Sequence, residues 1–331
     1  NPDAWATLGS QATAVLTIED NDPVCEIGTT PYYTLDEALF TISAGETKTI
    51  KLLKNIDYNG SIVITGKNVT FDLNGHTLTV TNNAGHALEV GSGGVVNLDT
   101  SNGGSFNITA VGSTKYGVYA HDGGQAIVTS ATVTSSDMNS RGAMASGTGS
   151  FIHVTGDVTA LGDGIAALAE NGGIIEVGGK VTGGICGATA SGSGSVVTIA
   201  GNSEATVSGP YNTGARAEYG ATVTIGGDVI SKGGRAADTY GEGSLLIIEG
   251  GVSTDYDGGA GAEAREKSTI IIKGVITAPV YLKLDDVPVN PSEGTSGTGE
   301  DAGYKIYTNH NSSTIKVKNN PPTAKTRPCQ D

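Results

Sequence analysis

The sequence is poor in the residues that fill large globular cores. Aromatic residues make up 5 % of the 331 positions, with a single tryptophan, and hydrophobic residues 37 %. No run approaches the ~18 apolar residues of a membrane span. The shortage of rings excludes a wide aromatic core and favours a narrow one of Val, Ile, Ala, Thr and Leu. The lack of a long apolar run predicts a chain without a membrane span.

Cysteine and recognisable catalytic motifs are equally scarce. Three cysteines are too few for a disulfide framework. A bond between Cys25 and Cys329 would require the C-terminal tail to fold back, so we expect none, and we expect Cys186 to be a small buried hydrophobe. The sequence has no His-Glu-x-x-His, phosphate loop, Gly-x-Ser-x-Gly or paired Cys-x-x-Cys. This absence matters less in a solenoid, whose sites are built from side chains that stack on successive coils.

Positive charge is also in deficit. The 19 basic and 34 acidic residues give a formal net charge of −15 and a pI near 4.6. Such a surface does not attract nucleic acid or an anionic membrane. An acidic glycan would be repelled as well unless a divalent cation such as calcium bridged the two. The chain opens Asn1-Pro-Asp without methionine or signal peptide, which indicates a mature or excised fragment.

What the sequence does have is glycine, 51 residues of it, arranged in a repeat. A short Gly-x-x-Ala opening recurs seven times, beginning at Gly117, Gly142, Gly164, Gly187, Gly214, Gly234 and, more loosely, Gly259. A turn of Gly, Ser and acidic residues follows each opening, and then a β-branched run. These runs end 22 to 26 residues apart, at Val128, Val154, Val177, Ile199, Ile225, Ile248 and Ile272.

A repeat of this length with no helical pattern is typical of a β-solenoid. One repeat has short strands with an apolar side and nothing to bury it against. Stacked coils supply ladder hydrogen bonds roughly 4.8 Å above and below each strand, and a continuous core. A β-sandwich with accidental similarity between strands is the competing interpretation, and the sevenfold register argues against it. We predict an all-β, right-handed parallel β-helix.

Each end of the solenoid has a predicted cap. Residues 33–45 give the one persuasive helix, in which Thr34 and Glu37 form a capping box and the apolar positions share one face. After Pro279 the register changes, and longer strands rich in Tyr and Lys predict a C-terminal β-hairpin cap over 280–318. We therefore place the β-helix with its capping helix at 25–279, a linker or domain tail at 1–24, and a linker to a following domain at 319–331.

Two stretches resemble known families. The phrase Gly66-Lys-Asn-Val-Thr-Phe-Asp-Leu-Asn-Gly-His76 is similar to the entry coils of pectate-lyase-like parallel β-helix modules of bacterial cell-surface proteins. The segment Ala12-Thr-Ala-Val-Leu-Thr-Ile-Glu-Asp-Asn-Asp22 resembles the closing strand of a Calx-beta domain. The resemblance implies one module of a large secreted or wall-anchored protein with neighbouring domains in the same chain. It does not imply an activity, because this fold carries lyases, hydrolases, adhesins and inert stalks.

Candidate functional residues emerge when the repeats are aligned. After Gly-x-x-Ala the last coils become acidic and aromatic, with arginines close by, and we expect these side chains to cluster on one face. The carbohydrate-binding candidates are Arg216, Glu218, Tyr219, Arg235, Asp238 and Tyr240. The catalytic candidates are Glu218, Asp238, Glu263 and Arg265. Asp255 and Asp257 are weak candidates for a metal such as calcium, although as polar turn residues they need no ion.

Three functions remain open for this cluster. Tyrosine rings can stack on sugar faces while charged groups grip hydroxyls, which suits a non-catalytic display or adhesion module that contacts an extracellular polysaccharide. A carboxylate pair could instead act as acid and base, or hold calcium beside a proton-abstracting arginine, as in a glycoside hydrolase or polysaccharide lyase. In the third interpretation the charges only pair with one another on the surface. We favour the non-catalytic module, which requires no cofactor.

Overall fold

The computed structural model describes residues 22–113 and 115–319, and the chain in these ranges forms a right-handed parallel β-solenoid of about 10 turns. Three parallel sheets run along its length, and each coil contributes one strand to sheet 1, then sheet 2, then sheet 3. The fold class predicted from the repeat is confirmed. The Calx-beta-like strand, the linker after Asn319 and Cys329 lie outside the described residues.

Sheet 1 contains eleven parallel strands among the described residues: Thr47–Leu52, Asn68–Asp72, Val95–Asp99, Gln125–Val128, Phe151–Val154, Ile174–Val177, Val196–Ile199, Thr222–Ile225, Leu245–Ile248, Thr269–Ile272 and Thr314–Lys318. Sheet 2 contains ten: Ile56–Asn59, Thr77–Asn82, Ser105–Val111, Ser130–Ser135, Val158–Gly162, Val181–Gly183, Ser203–Ala205, Val229–Ser231, Val252–Thr254 and Ile276–Thr277. Sheet 3 also has ten parallel strands: Ile62–Thr65, Leu88–Gly91, Tyr116–His121, Arg141–Ser146, Ile165–Glu170, Cys186–Ser191, Thr213–Glu218, Arg235–Tyr240, Ala260–Arg265 and Val280–Leu284.

The core is a narrow column of aliphatic side chains, as the composition predicts. Strands of sheet 1 bury alternate residues, so that Val197, Val223 and Leu246 stack on one another in register with no exposure. Two rings, Phe71 and Phe106, lie in the early coils with their centroids 5.1 Å apart. Both buried cysteines among the described residues, Cys25 and Cys186, are free.

The capping helix is shorter than the predicted 33–45. It spans Leu35–Phe40, with the expected capping box between Thr34 and Glu37. Thr41 ends it, and the Lys67 ammonium group donates hydrogen bonds to the carbonyls of Leu39 and Ile42 at 2.8 and 3.1 Å, which satisfies acceptors that the helix leaves free.

The inner face of this helix closes the first coil. Leu35 and Ala38 of the helix, and Ile42 just after its end, are buried in the same cluster as Ile50 and Ile62 of the first strands. Two antiparallel strands, Cys25–Ile27 and Thr30–Tyr32, cover the adjacent edge of sheet 1.

The C-terminal segment both extends and caps the solenoid. Val280–Leu284 and Thr314–Lys318 pair in parallel with the last regular strands of sheets 3 and 1. The antiparallel strands Val287–Val289, Tyr304–Thr308 and Thr295–Ser296 then cover the two sheet edges, with 3₁₀ turns at Pro291–Glu293 and Gly299–Asp301. Covering an edge removes the unpaired backbone groups that would otherwise template aggregation.

The Gly-x-x-Ala motif marks the start of the sheet 3 strands, but its alignment was wrong in three coils. Ladder pairing matches Gly142 with Ala166 rather than Gly164, and it likewise shifts the motif from Gly234 to Ala236 and from Gly259 to Gly261. The shared requirement is a small residue where the strand passes close to sheet 2. A Cβ at Gly142 would lie 2.6 Å from Val158 Cγ1, so space favours glycine there, and two coils have alanine at the equivalent position, Ala166 and Ala236.

Candidate functional site

The outer face of sheet 3 carries most of the residues singled out from the sequence. On the inner side, Ala215, Ala237 and Ala262 stack in the core. On the outer side, one column of directly paired residues reads Thr189, Arg216, Asp238, Glu263 and Lys283, and a second reads Ser191, Glu218, Tyr240 and Arg265. Neighbouring members of a column are one coil apart, about 4.8 Å. The ladder therefore brings the candidate side chains together.

These side chains form what we call the arginine–carboxylate network: Arg216, Glu218, Arg235, Asp238, Glu263 and Arg265. Asp238 is its centre and is completely buried. Its carboxylate accepts a hydrogen bond from Arg216 Nε at 3.0 Å and from Arg265 Nη2 at 2.8 and 3.1 Å. Charge-assisted bonds of this kind compensate a buried carboxylate.

Glu263 is also completely buried, one coil further along. One carboxylate oxygen accepts a hydrogen bond from Arg235 Nε. The other, Oε1, and the buried Nε of Arg265 have no hydrogen-bond partner within the described part of the chain. The arginines thus form hydrogen bonds with both carboxylates, but one oxygen of Glu263 is left without a partner among the described residues.

Burial and charge act in opposite directions across the network. Burial raises the pKa of Glu218 and of Glu263, and the arginine beside each carboxylate only partly offsets this. Burial also works against the cations of Arg216 and Arg265, but the Asp238 carboxylate, together with the other acidic groups nearby, outweighs it and raises the pKa of both guanidinium groups. The arginines therefore stay charged, while the two glutamates are easier to protonate than in water.

Two tyrosines border the network on the solvent side. Tyr219 is 58 % exposed and lies at the turn that follows Glu218, with φ of 54°. Its ring meets the ring of Tyr240 edge to face at 5.3 Å, and the Arg265 guanidinium lies 5.3 Å from the Tyr240 ring centroid. A bulky residue in the left-handed region is uncommon and costs energy. The fold holds Tyr219 at this exposed corner despite that cost.

The weak metal candidates lie apart from this network. Asp255 and Asp257 are exposed residues of the loop that precedes the strand Ala260–Arg265. Within residues 22–113 and 115–319, no three His, Cys, Asp or Glu side chains are grouped as metal ligands. Over the same residues, no helix combines the length and apolar character required to cross a membrane.

Sequence reasoning missed a second group on the same face, the histidine–tyrosine cluster of His86, Tyr116, Tyr119 and His121. His86 stacks on Tyr116 at 4.5 Å and its Nδ1 accepts the Tyr116 backbone N–H at 3.1 Å. His121 stacks on Tyr119 at 4.7 Å, and its Nε2 lies 3.2 Å from Glu89. The sequence feature that could have revealed this cluster is the outward-facing column of sheet 3, because Glu89 and Tyr119 occupy equivalent positions of neighbouring coils and pair directly.

The geometry limits what the face can do. Asp238 and Glu263 cannot touch a ligand from solution while they are buried beneath arginines. Tyr219, Tyr240 and the partly exposed edges of Arg216, Glu218 and Arg265 can.

The chain was compared with known protein families, with curated proteins and with solved structures, and none of the three comparisons found a match. What is established is the class of protein, a parallel β-solenoid with a charged and aromatic outer face on sheet 3.

Proposed function

We propose that this chain is a non-catalytic extracellular module for structural display or adhesion, and that it contacts carbohydrate through the outer face of sheet 3. The setting that we propose is a secreted or cell-surface protein, which the sequence resemblance to pectate-lyase-like modules and to a Calx-beta strand supports. The stiff, capped solenoid suits a spacer that holds neighbouring domains apart.

One observation carries the carbohydrate contact: Tyr219 is kept exposed at a backbone position that favours glycine, directly beside a charged network. Exposed rings stack on sugar faces, and arginine and carboxylate edges bond to hydroxyl groups. Tyr240, braced by Tyr219 and Arg265, extends this surface into the next coil. The buried carboxylates Asp238 and Glu263 support a positioning role, because they fix the arginines and are not presented to solvent.

A polysaccharide lyase or glycoside hydrolase is the second candidate. Glu218 favours it, because its side chain is 24 % exposed and its pKa is raised by burial, a property that suits a general acid. Against it, the neighbouring carboxylates Asp238 and Glu263 are completely buried and bonded to arginines. In this alternative Asp238 would have to become exposed during the reaction.

The test is a panel of cellulose, mannan, chitin and homogalacturonan, each with and without calcium, read for retention and for new reducing or unsaturated ends. Retention without cleavage, lost in the Tyr219→Ala, Tyr240→Ala double variant, supports the proposal. Cleavage that is lost in Glu218→Gln would replace the proposal with the enzyme. Absence of both retention and cleavage would leave only the spacer.

A further inference from the structure

From the coil of Asp122 to the coil of Glu266, the turn between sheet 3 and sheet 1 alternates between two geometries. In one, a left-handed non-glycine residue follows the strand, and in the next coil a glycine takes that place. The non-glycine members, at φ of 49–54°, are Asp122, Asn171, Tyr219 and Glu266. The glycines between them, at φ of 85–90°, are Gly147, Gly192 and Gly241. Across these seven coils the repeat at this corner is therefore two coils long.

A serine explains the alternation. Each glycine-type turn ends in a buried serine whose hydroxyl accepts a backbone N–H from the turn of the preceding coil. Gly172 N donates to Ser195 Oγ at 2.9 Å, and Gly220 N donates to Ser244 Oγ at 2.9 Å. Each glycine-type turn is thus hydrogen-bonded to the non-glycine turn of the preceding coil, so the two types occur in pairs.

The glycines also leave space for the side chains of the non-glycine turns in the neighbouring coils. A Cβ at Gly241 would lie 3.2 Å from Tyr219 Cα and 3.3 Å from its ring. Asp122, Asn171, Tyr219 and Glu266 are all exposed, and two coils separate each from the next by about 10 Å. Because glycine would adopt this backbone without strain, the side chains at these four positions come at a cost in stability.

We propose that this row, Asp122, Asn171, Tyr219 and Glu266, is a track for a linear polysaccharide that lies parallel to the solenoid axis; the inference rests on the proposed carbohydrate contact. The row offers carboxylate, amide and phenol groups, all of which bond to hydroxyls. In an extended 1,4-linked chain every second sugar presents the same face, so a regular polymer meets a regular row. The Tyr219–Tyr240 surface forms one part of the track, and the full row spans about 30 Å.

The test measures affinity by calorimetry with cello-oligosaccharides and oligogalacturonates from disaccharide to octasaccharide. Affinity should rise with length well beyond the disaccharide. Asn171→Gly should weaken the octasaccharide about fivefold, the effect of one polar contact, and leave the disaccharide unchanged. The matched control is Ser92→Gly, an exposed left-handed residue in the coil before Asp122 and off the two-coil period; its affinity should equal that of the wild type.

Glycine fits the backbone at both positions, so neither variant should lose stability, and melting curves check this. A plateau at the disaccharide, or equal affinity of Asn171→Gly and the wild type, overturns the track while the Tyr219–Tyr240 contact stands. If none of the panel polysaccharides is retained, the proposed carbohydrate contact and the track fall together, and only the spacer remains.

Discussion

Asp238 should be the most costly single polar residue of the sheet 3 outer face. In Asp238→Asn the side chain keeps its shape but loses the charge that Arg216 and Arg265 share. Removing one partner of a buried ion pair costs about 3–5 kcal/mol. Both arginine side chains retain about a quarter of their exposure, 26 % and 22 %, so water can partly replace the carboxylate. We therefore expect the lower end of the range, about 3 kcal/mol.

Urea unfolding followed by far-UV circular dichroism gives this difference directly. Asp255→Asn is the matched control, because it makes the same chemical change at an exposed loop position and should stay within about 0.5 kcal/mol of the wild type. The reasoning is refuted if Asp238→Asn costs less than about 1 kcal/mol, since the network would then be no stronger than a surface ion pair.

Three further outcomes follow from the described contacts. Burial places the pKa of Glu263 in the folded state above its ordinary 4.5. At a pH between the unfolded and the folded pKa, the folded state therefore binds this proton more readily than the unfolded state does. The wild type should therefore gain stability relative to Glu263→Gln as the pH falls from 7 towards 4.5, and a pH-independent difference in urea titrations would contradict this. Burial lowers the pKa of His86 below 6.5, whereas hydrogen bonds to two carboxylates outweigh burial and raise that of His121; nitrogen-detected NMR should see His121 titrate first as the pH falls, and coincident titrations would refute the assigned contacts. A Cβ at Gly117 would lie 2.5 Å from a backbone oxygen of the next coil, so Gly117→Ala should cost about 1–3 kcal/mol. Gly85→Ala, which meets only a side-chain nitrogen at 3.2 Å, should cost much less, and equal melting temperatures would show that the close approach is unimportant.

The sequence predicted what depends on local pattern. Period-two runs and recurring glycine openings gave the solenoid, and Thr34 with Glu37 gave the helix start. The clustering of Arg216, Asp238 and Glu263 followed from counting repeats, because a ladder brings equivalent positions together.

Other features depend on how neighbouring coils are aligned with one another, and the sequence of a single repeat does not determine this alignment. The motif was misaligned at Gly164 and Gly234 because alanine, at Ala166 and Ala236, takes the position that glycine has in other coils, and a second glycine lies two residues before it. The alternation of turns could not be predicted from one repeat, because a serine such as Ser195 accepts its hydrogen bond from the preceding coil. The burial of Asp238 could not be predicted either, because it depends on Arg216 and Arg265 of the neighbouring strands. Local sequence therefore predicts the coil, and the stacking decides which side chains face solvent.

The most direct test of the carbohydrate contact is an NMR titration of ring-labelled tyrosines, of which the chain has 12. Hexasaccharides cut from each panel polysaccharide serve as probes. The account predicts that one of them shifts the ring signals of Tyr219 and Tyr240 and leaves those of Tyr281 and Tyr307, which pack at the C-terminal cap, unchanged. Shifts confined to other tyrosines, or none with any probe, would contradict a carbohydrate-binding face on sheet 3.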